Sequence, residues 1–253
     1  MSPEVLLSGE HASELRRLLE ARGVLVFRGL NLSDSEQKTF ASTLGEVLSM
    51  GDETIQKISL DKKESATADY LRGAFYWHID GSNDDVPTLA SILSAKRLPP
   101  EGGDTEFCNT YAAYDALSDS EKRQVDGLRV VHSLESSQLF VTPEPSYAEL
   151  MKWRSYPTKV HPLVWTHWSG RKSLVLGATA YYIEGMSFEE GRALLCRLRD
   201  QATQRSNVYS HKWTDGDTLI WDNTGTMHRV TPYALNSGRM MHRTTLAGEE
   251  PLV

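Results

Sequence analysis

The sequence predicts a mainly β domain, a sandwich or jelly roll with peripheral helices, and three observations carry that prediction. Short apolar runs are bounded by turn residues along most of the chain. Strand-like and helix-like segments do not alternate strictly, as a parallel sheet would require. The helical segments open on local capping signals and are spaced so as to pack outside a sheet core. At 253 residues the chain is long for an average domain but short for two. Single barrels and sandwiches reach this length, so one domain over residues 1–253 is expected.

The elements follow in order. Leu15, Leu18, Leu19 and Arg22 fall on one helical stripe, and Gly23 stops it before the apolar run Val24-Leu25-Val26-Phe27. Ser33 with Glu36, Ser118 with Glu121 and Ser187 with Glu190 each read as a capping box opening a helix. The last of these runs through Leu194, Leu195 and Leu198. Leu89 to Leu93 and Ser173 to Leu176 read as strands, and the turn Asp215-Gly216-Asp217 leads into Thr218-Leu219-Ile220-Trp221. There is no internal repeat and no low-complexity tract.

Composition narrows the function classes. A formal charge of −7 disfavours nonspecific binding to nucleic acid or to anionic membranes. Cys108 and Cys196 lack paired spacing, which argues against a disulfide framework or a thiolate zinc site and fits a reducing compartment. The start, Met1-Ser2-Pro3-Glu4, lacks the basic and apolar regions of a secretory signal, and no run is long enough for a transmembrane helix. The expected location is the cytoplasm.

The chemistry concentrates in Trp77-His78-Ile79-Asp80-Gly81 and, far downstream, Thr226-Met227-His228-Arg229. Two imidazoles and one carboxylate hold a divalent iron on one face and leave the other open. In a strand His78 and Asp80 would share a face while Ile79 turned to the core. Alone, His-x-Asp can equally be a chance pair with a hydrogen-bonded core histidine. Arg239 follows His228 and suits a dicarboxylate that chelates the metal through one end and needs its other end anchored.

The accompanying blocks sharpen this reading. Gly102-Gly103-Asp104-Thr105-Glu106-Phe107, Trp221-Asp222-Asn223, His228, Arg239 and Arg243 occur in that order. With them the chain resembles the taurine dioxygenase and 2,4-dichlorophenoxyacetate dioxygenase (TauD/TfdA) family of Fe(II)- and 2-oxoglutarate-dependent enzymes, from Gly23 to Gly248. It looks closer to the aryloxyacetate branch through Ala112-Ala113-Tyr114-Asp115-Ala116-Leu117 and Gly170-Arg171-Lys172-Ser173-Leu174. The resemblance implies a double-stranded β-helix, a metal triad of His78, Asp80 and His228, and Thr105 with Arg239 holding the distal carboxylate of 2-oxoglutarate. It implies Fe(II) as cofactor, with 2-oxoglutarate and O2 as co-substrates. Halogenating relatives lack the carboxylate at the Asp80 position, so its presence favours oxygen insertion. Zinc hydrolysis would leave Thr105 and Arg239 without a purpose.

On the substrate side, a strand through Arg239-Met240-Met241-His242-Arg243 would put Arg239, Met241 and Arg243 on one face, the arginines roughly 13 Å apart. The matching arginine in the taurine enzyme holds the substrate's sulfonate, so Arg243 is expected to anchor a primary substrate acid; its alternative is to brace the fold through an internal carboxylate. Tyr70, Phe75 and Tyr76 precede the triad where relatives place substrate loops, and Tyr70 and Tyr76 are candidate ring contacts. Met227, Arg229 and His242 are read as supporting residues, and His11, His132, His161, His167 and His211 as structural. The polar loop Gly81-Ser82-Asn83-Asp84-Asp85 departs from an apolar aryloxyacetate pocket. The expected activity is hydroxylation of a small organic acid, an aromatic or aryloxy carboxylate, with release of succinate and CO2. A homo-oligomer would be in keeping with relatives. The rival is a jelly-roll module that senses 2-oxoglutarate or a small acid without turnover.

Overall fold

The computed structural model describes residues 2–49, 53–65 and 68–252; the other positions of the expected 1–253 domain lie outside the described residues. Its strands, in chain order, are β1 (Val24–Phe27), β2 (Gln56–Ile58), β3 (Ala90–Arg97), β4 (Thr105–Asn109), β5 (Arg129–His132), β6 (Lys159–Pro162), β7 (Val164–Thr166), β8 (Lys172–Leu174), β9 (Ala180–Ile183), β10 (Val208–His211), β11 (Thr218–Asp222), β12 (Thr226–Val230) and β13 (Met240–Leu246). The main sheet runs β1-β11-β3-β13-β2 and a smaller one β10-β4-β12, every pairing antiparallel. Strands distant in sequence are thus neighbours, as the jelly roll expected from the sequence demands.

Period-2 alternation explains the layering. Along β11, Leu219 and Trp221 enter one core with Leu93, Ala95, Phe107, Trp213 and Met241, drawn from both sheets. Ile220, between them, faces the other way and joins Leu15, Leu19, Phe40, Leu44 and Ile92 beneath the helices Ala12–Arg22 and Asp34–Leu44. The main sheet is therefore covered on both faces, and β3 from Ala90 to Ala95 and all of β11 are buried without a break. A third core gathers Leu194, Leu195 and Leu198 of helix Phe188–Ala202 against Val130, Ile183 and Met227.

Most local expectations hold. Gly23 ends the first long helix at φ 79°, its N–H bonded to Leu19 O, and β1 covers Val24 to Phe27. The boxes at Ser33 and Ser118 are complete. Ser187 makes half of one: its hydroxyl caps Glu190 N without a return bond to its own N–H. A third complete box, Ser146 with Glu149, opens the helix Tyr147–Arg154, which the sequence reading missed. Cys108 and Cys196 are free thiols. Among the described residues no helix is long and apolar enough to cross a membrane.

Candidate metal centre and its cavity

His228 sits mid-strand on β12, and its backbone exchanges both hydrogen bonds with His78, 3.0 and 2.9 Å. Residues paired this way across an antiparallel bridge project on the same side, and the two imidazole centroids lie 4.2 Å apart. The regular strand expected around His78 is not formed. Residue 78 makes an isolated bridge and Asp80 opens a turn, because the chain folds back at Gly81 (φ 77°), where a Cβ would lie 2.8 Å from Thr88 N. The expected division of faces survives: Ile79 is buried beside Trp77, while Asp80 stands 3.8 Å from the Nε2 of each histidine. One donor atom from each of the three lies within 4.8 Å of the others.

The donor chemistry fits a divalent iron. Nδ1 of His78 lies 2.8 Å from the Tyr76 carbonyl, which can only accept, so Nδ1 carries a proton and Nε2 is the ring atom left to serve a metal beside Asp80. Burial first, then His78 and Arg243, push His228 down to about 3 against the pull of Asp80, leaving it a neutral ligand. For Asp80, burial would raise the pKa; Arg243, His228, His78 and the Ser91 hydroxyl outweigh it and hold the carboxyl well below its ordinary range. Nδ1 of His228 is buried with no hydrogen-bond partner.

Asp80 is oriented by residues the sequence reading did not assign. Ser91 Oγ donates to its Oδ2 at 3.1 Å. Asn223, fully buried, donates to Ser91 Oγ and Thr88 Oγ1 and accepts from Trp221 Nε1 at 2.7 Å. The Trp221-Asp222-Asn223 block thus braces the metal carboxylate through Ser91.

Beside the triad opens a cavity of ≈ 380 Å³ whose lining includes Thr105, Arg239, Arg243 and Tyr70. Arg239 is 3% exposed, pairs with no carboxylate among the described residues, and leaves its Nε without a partner. It rests over the ring of Tyr233, 4.9 Å from its centroid, and makes a long 3.4 Å contact to Gly103 O. Burial lowers its pKa, with Tyr233 opposing. Thr105 Oγ1 accepts from Trp213 Nε1 at 2.9 Å, so its own proton stays free to donate. Nothing local in the sequence marked Trp213 or Tyr233.

The Gly102-Gly103 pair lets this corner close. Gly102 has φ 71°, and a Cβ on it would lie 2.2 Å from Pro232 O; Gly103 (φ 77°) approaches the Arg239 side chain. Gly102→Ala combines left-handed strain with a backbone clash, so a loss of about 2–4 kcal/mol in urea unfolding is expected. A variant as stable as the parent would show that the corner relaxes freely.

β13 begins only at Met240, one residue after Arg239, yet Arg239 and Arg243 both face this cavity, and Lys96 is bulged opposite the Met240/Met241 step. Arg243, however, is already engaged, as the alternative reading had it, by an internal carboxylate. Nη1 donates to Asp80 Oδ2 at 3.0 Å, and Nε and Nη2 donate to Gln56 Oε1 at 3.0 and 2.6 Å. The carboxylate is the metal ligand itself. Tyr76 does not reach the triad's cavity: its hydroxyl donates to Phe140 O at 2.7 Å and its ring leans on Phe140, facing a separate cavity. Phe75 packs edge-on against Tyr233. Tyr70 does line the cavity, at its exposed edge. Met227 is core, Arg229 pairs with Glu106 at 2.7 Å, and His242 turns outward to Asp34.

A jelly roll carrying two histidines and a carboxylate at the mouth of a cavity, beside a buried unpaired arginine, defines a non-haem iron oxygenase of the 2-oxoglutarate-dependent class. The chain belongs to the taurine catabolism dioxygenase TauD, TfdA family, whose model matches residues 2–245. It is 37% identical over 260 residues to the alpha-ketoglutarate-dependent 2,4-dichlorophenoxyacetate dioxygenase of Cupriavidus pinatubonensis, covering 94% of this chain and 89% of the relative. It is 33% identical over 238 residues to the (S)-phenoxypropionate/alpha-ketoglutarate-dioxygenase of Sphingobium herbicidovorans, covering 89% and 82%. The crystal structure of AAD-2 in complex with Mn(II) and N-oxalylglycine superposes with a TM-score of 0.86 at 36% identity, covering 96% of this chain and 90% of that one.

Proposed function

We propose that this protein hydroxylates a small organic acid, an aromatic or aryloxy carboxylate, while converting 2-oxoglutarate and O2 to succinate and CO2. The observation that carries the reading is Arg239, a buried guanidinium with no carboxylate partner among the described residues, in the same cavity as the triad. His78, Asp80 and His228 would hold the iron, which would supply the oxidising power for a reaction that puts one oxygen atom into succinate and the other into the substrate. Arg239 and the Thr105 hydroxyl hold the distal carboxylate of 2-oxoglutarate, which points its keto acid end toward the triad. Ile58, Leu71, Leu93 and Leu134 line the same cavity and suit an apolar substrate body. Hydroxylation of a carbon beside an ether oxygen yields a hemiacetal that falls apart, so an aryloxy acid is cleaved.

Arg243 keeps a role in the substrate's anchorage. Three of its N–H groups are committed to Asp80 and Gln56, and the rest of the fork remains for an acid. Arg243→Ala should raise the KM for the acid at least about tenfold and leave 2-oxoglutarate binding nearly unchanged, with Arg243→Lys restoring part of the loss. A neutral compound turned over as well as any acid, and indifferent to Arg243→Ala, would sink the anchor. The whole reading is tested by succinate formation under air with iron and 2-oxoglutarate across a panel of aryloxy, aryl and alkyl acids. Substrate-stimulated succinate is expected; binding of 2-oxoglutarate without it would mark a sensor. The reading places the enzyme in the cytoplasm, where its two free thiols stay reduced.

A further inference from the structure

Behind the polar loop that follows Asp80 runs a line of side chains that holding iron and 2-oxoglutarate does not require. Ser82 and Thr179 both line the triad's cavity. Their hydroxyl oxygens are 2.9 Å apart, and Thr179 Oγ1 lies 2.9 Å from Nδ1 of His132. His132, at the end of β5, is fully buried, and Ser82 is 3% exposed. The Thr179 carbonyl is held by Ser133 N at 2.9 Å. A second buried histidine, His161 on β6, stands beside the first, its ring centroid 5.5 Å from that of His132. His132 therefore reaches the Ser82 hydroxyl through Thr179, with His161 packed behind it.

The direction of the chain follows from counting protons. Burial first, then His161, push His132 down to about 3, so it is neutral and carries one ring proton. Its Nε2 is buried without a partner. A proton there would be an orphaned N–H, which buried structure rarely tolerates; a proton on Nδ1 is satisfied by Thr179 and leaves only a bare lone pair. With Nδ1–H donating to Thr179 Oγ1, the Thr179 hydroxyl proton needs an acceptor, and Ser82 Oγ is the one in reach. The Ser82 proton is then left for the cavity.

We propose that His132, acting through Thr179, sets Ser82 as a hydrogen-bond donor to an acceptor oxygen of the primary substrate, so that the site selects acids bearing an ether oxygen beside the carbon to be oxidised. The inference rests on the acid-hydroxylating function proposed above and gives it a second point of attachment. The acid end goes to Arg243 and the oxygen to Ser82, two residues past Asp80. Two fixed points determine which C–H faces the metal. His132 and Thr179 are positioning residues; neither needs to touch the reacting atoms.

Two measurements test the proposal on the full chain. With histidine-15N label and zinc plus 2-oxoglutarate bound, the resonance lost in His132→Gln should report a neutral ring protonated on Nδ1; an Nε2-protonated ring overturns the relay. With iron, the KM values for an aryloxy acid and for its methylene analogue should differ by about tenfold in the parent, the value of one good hydrogen bond. Ser82→Ala and the shape-preserving Thr179→Val should each collapse that ratio toward one. A purely structural role would shift both substrates together, and an unchanged ratio in both variants overturns the proposal. A parent that forms no succinate with any acid overturns the proposed function itself; an active parent with an unchanged ratio overturns the Ser82 assignment alone.

Discussion

His228→Ala should abolish iron-dependent succinate formation and strip the purified protein of stoichiometric iron, while leaving its circular dichroism close to the parent's. The triad has only three protein donors, and His228 contributes the one best enclosed: it is 6% exposed, with Trp221 at 4.7 Å and His78 at 4.2 Å between ring centroids. Removing it leaves His78 and Asp80, two donors at the cavity mouth. The fold should survive because the strand is held by its backbone. β12 keeps its five-residue register with β4, and the exchanged bonds between residues 78 and 228 need no imidazole. The gap left by the ring should cost roughly 1–3 kcal/mol, a fraction of a typical domain's stability. His228→Gln keeps more of the volume and guards against a packing artefact. Normal turnover in either purified variant would show that the triad is assigned wrongly.

The triad was legible, and Thr105 and Arg239, which line its cavity, could be singled out, because each depends on residue type and order, which survive without coordinates. The capping boxes at Ser33 and Ser118 were legible for a related reason: each is closed by its own four residues. Ser146 obeyed the same rule and was open to the same reading. What escaped depends on how remote strands come to lie together. Arg243 meets Asp80 because β13 lies beside β3, and no spacing along the chain encodes that 3.0 Å contact. Tyr76 was misplaced because a short 3-10 turn over Arg72–Phe75 rotates it away from Tyr70 and onto Phe140. His132 reads as structural by itself; it acquires a second meaning only when Thr179 and Ser82 are seen between it and the cavity.

Arg239→Gln should raise the concentration of 2-oxoglutarate needed for half-maximal activity by roughly 30- to 1000-fold, with a much smaller change in the KM for the primary substrate. The guanidinium is isolated in the cavity wall. It is 3% exposed, it has no carboxylate partner among the described residues, and burial already lowers its pKa. A cation in that state is destabilised until an anion arrives, so a dicarboxylate's distal end gains a desolvated, two-pronged contact there. Losing one partner of such a pair costs about 2–4 kcal/mol, which is the fold-change stated. Glutamine keeps a polar group and the inner part of the side chain beside Gly103, and removes the charge and the fork over Tyr233. The variant itself should be no less stable than the parent, because the uncompensated buried charge is gone. That pairing of outcomes, weaker co-substrate binding with stability kept or raised, separates a ligand anchor from a fold brace. Unchanged affinity for 2-oxoglutarate, measured by titration of the zinc-loaded chain as well as by turnover, would remove Arg239 from the site and make Arg243 the next residue to test.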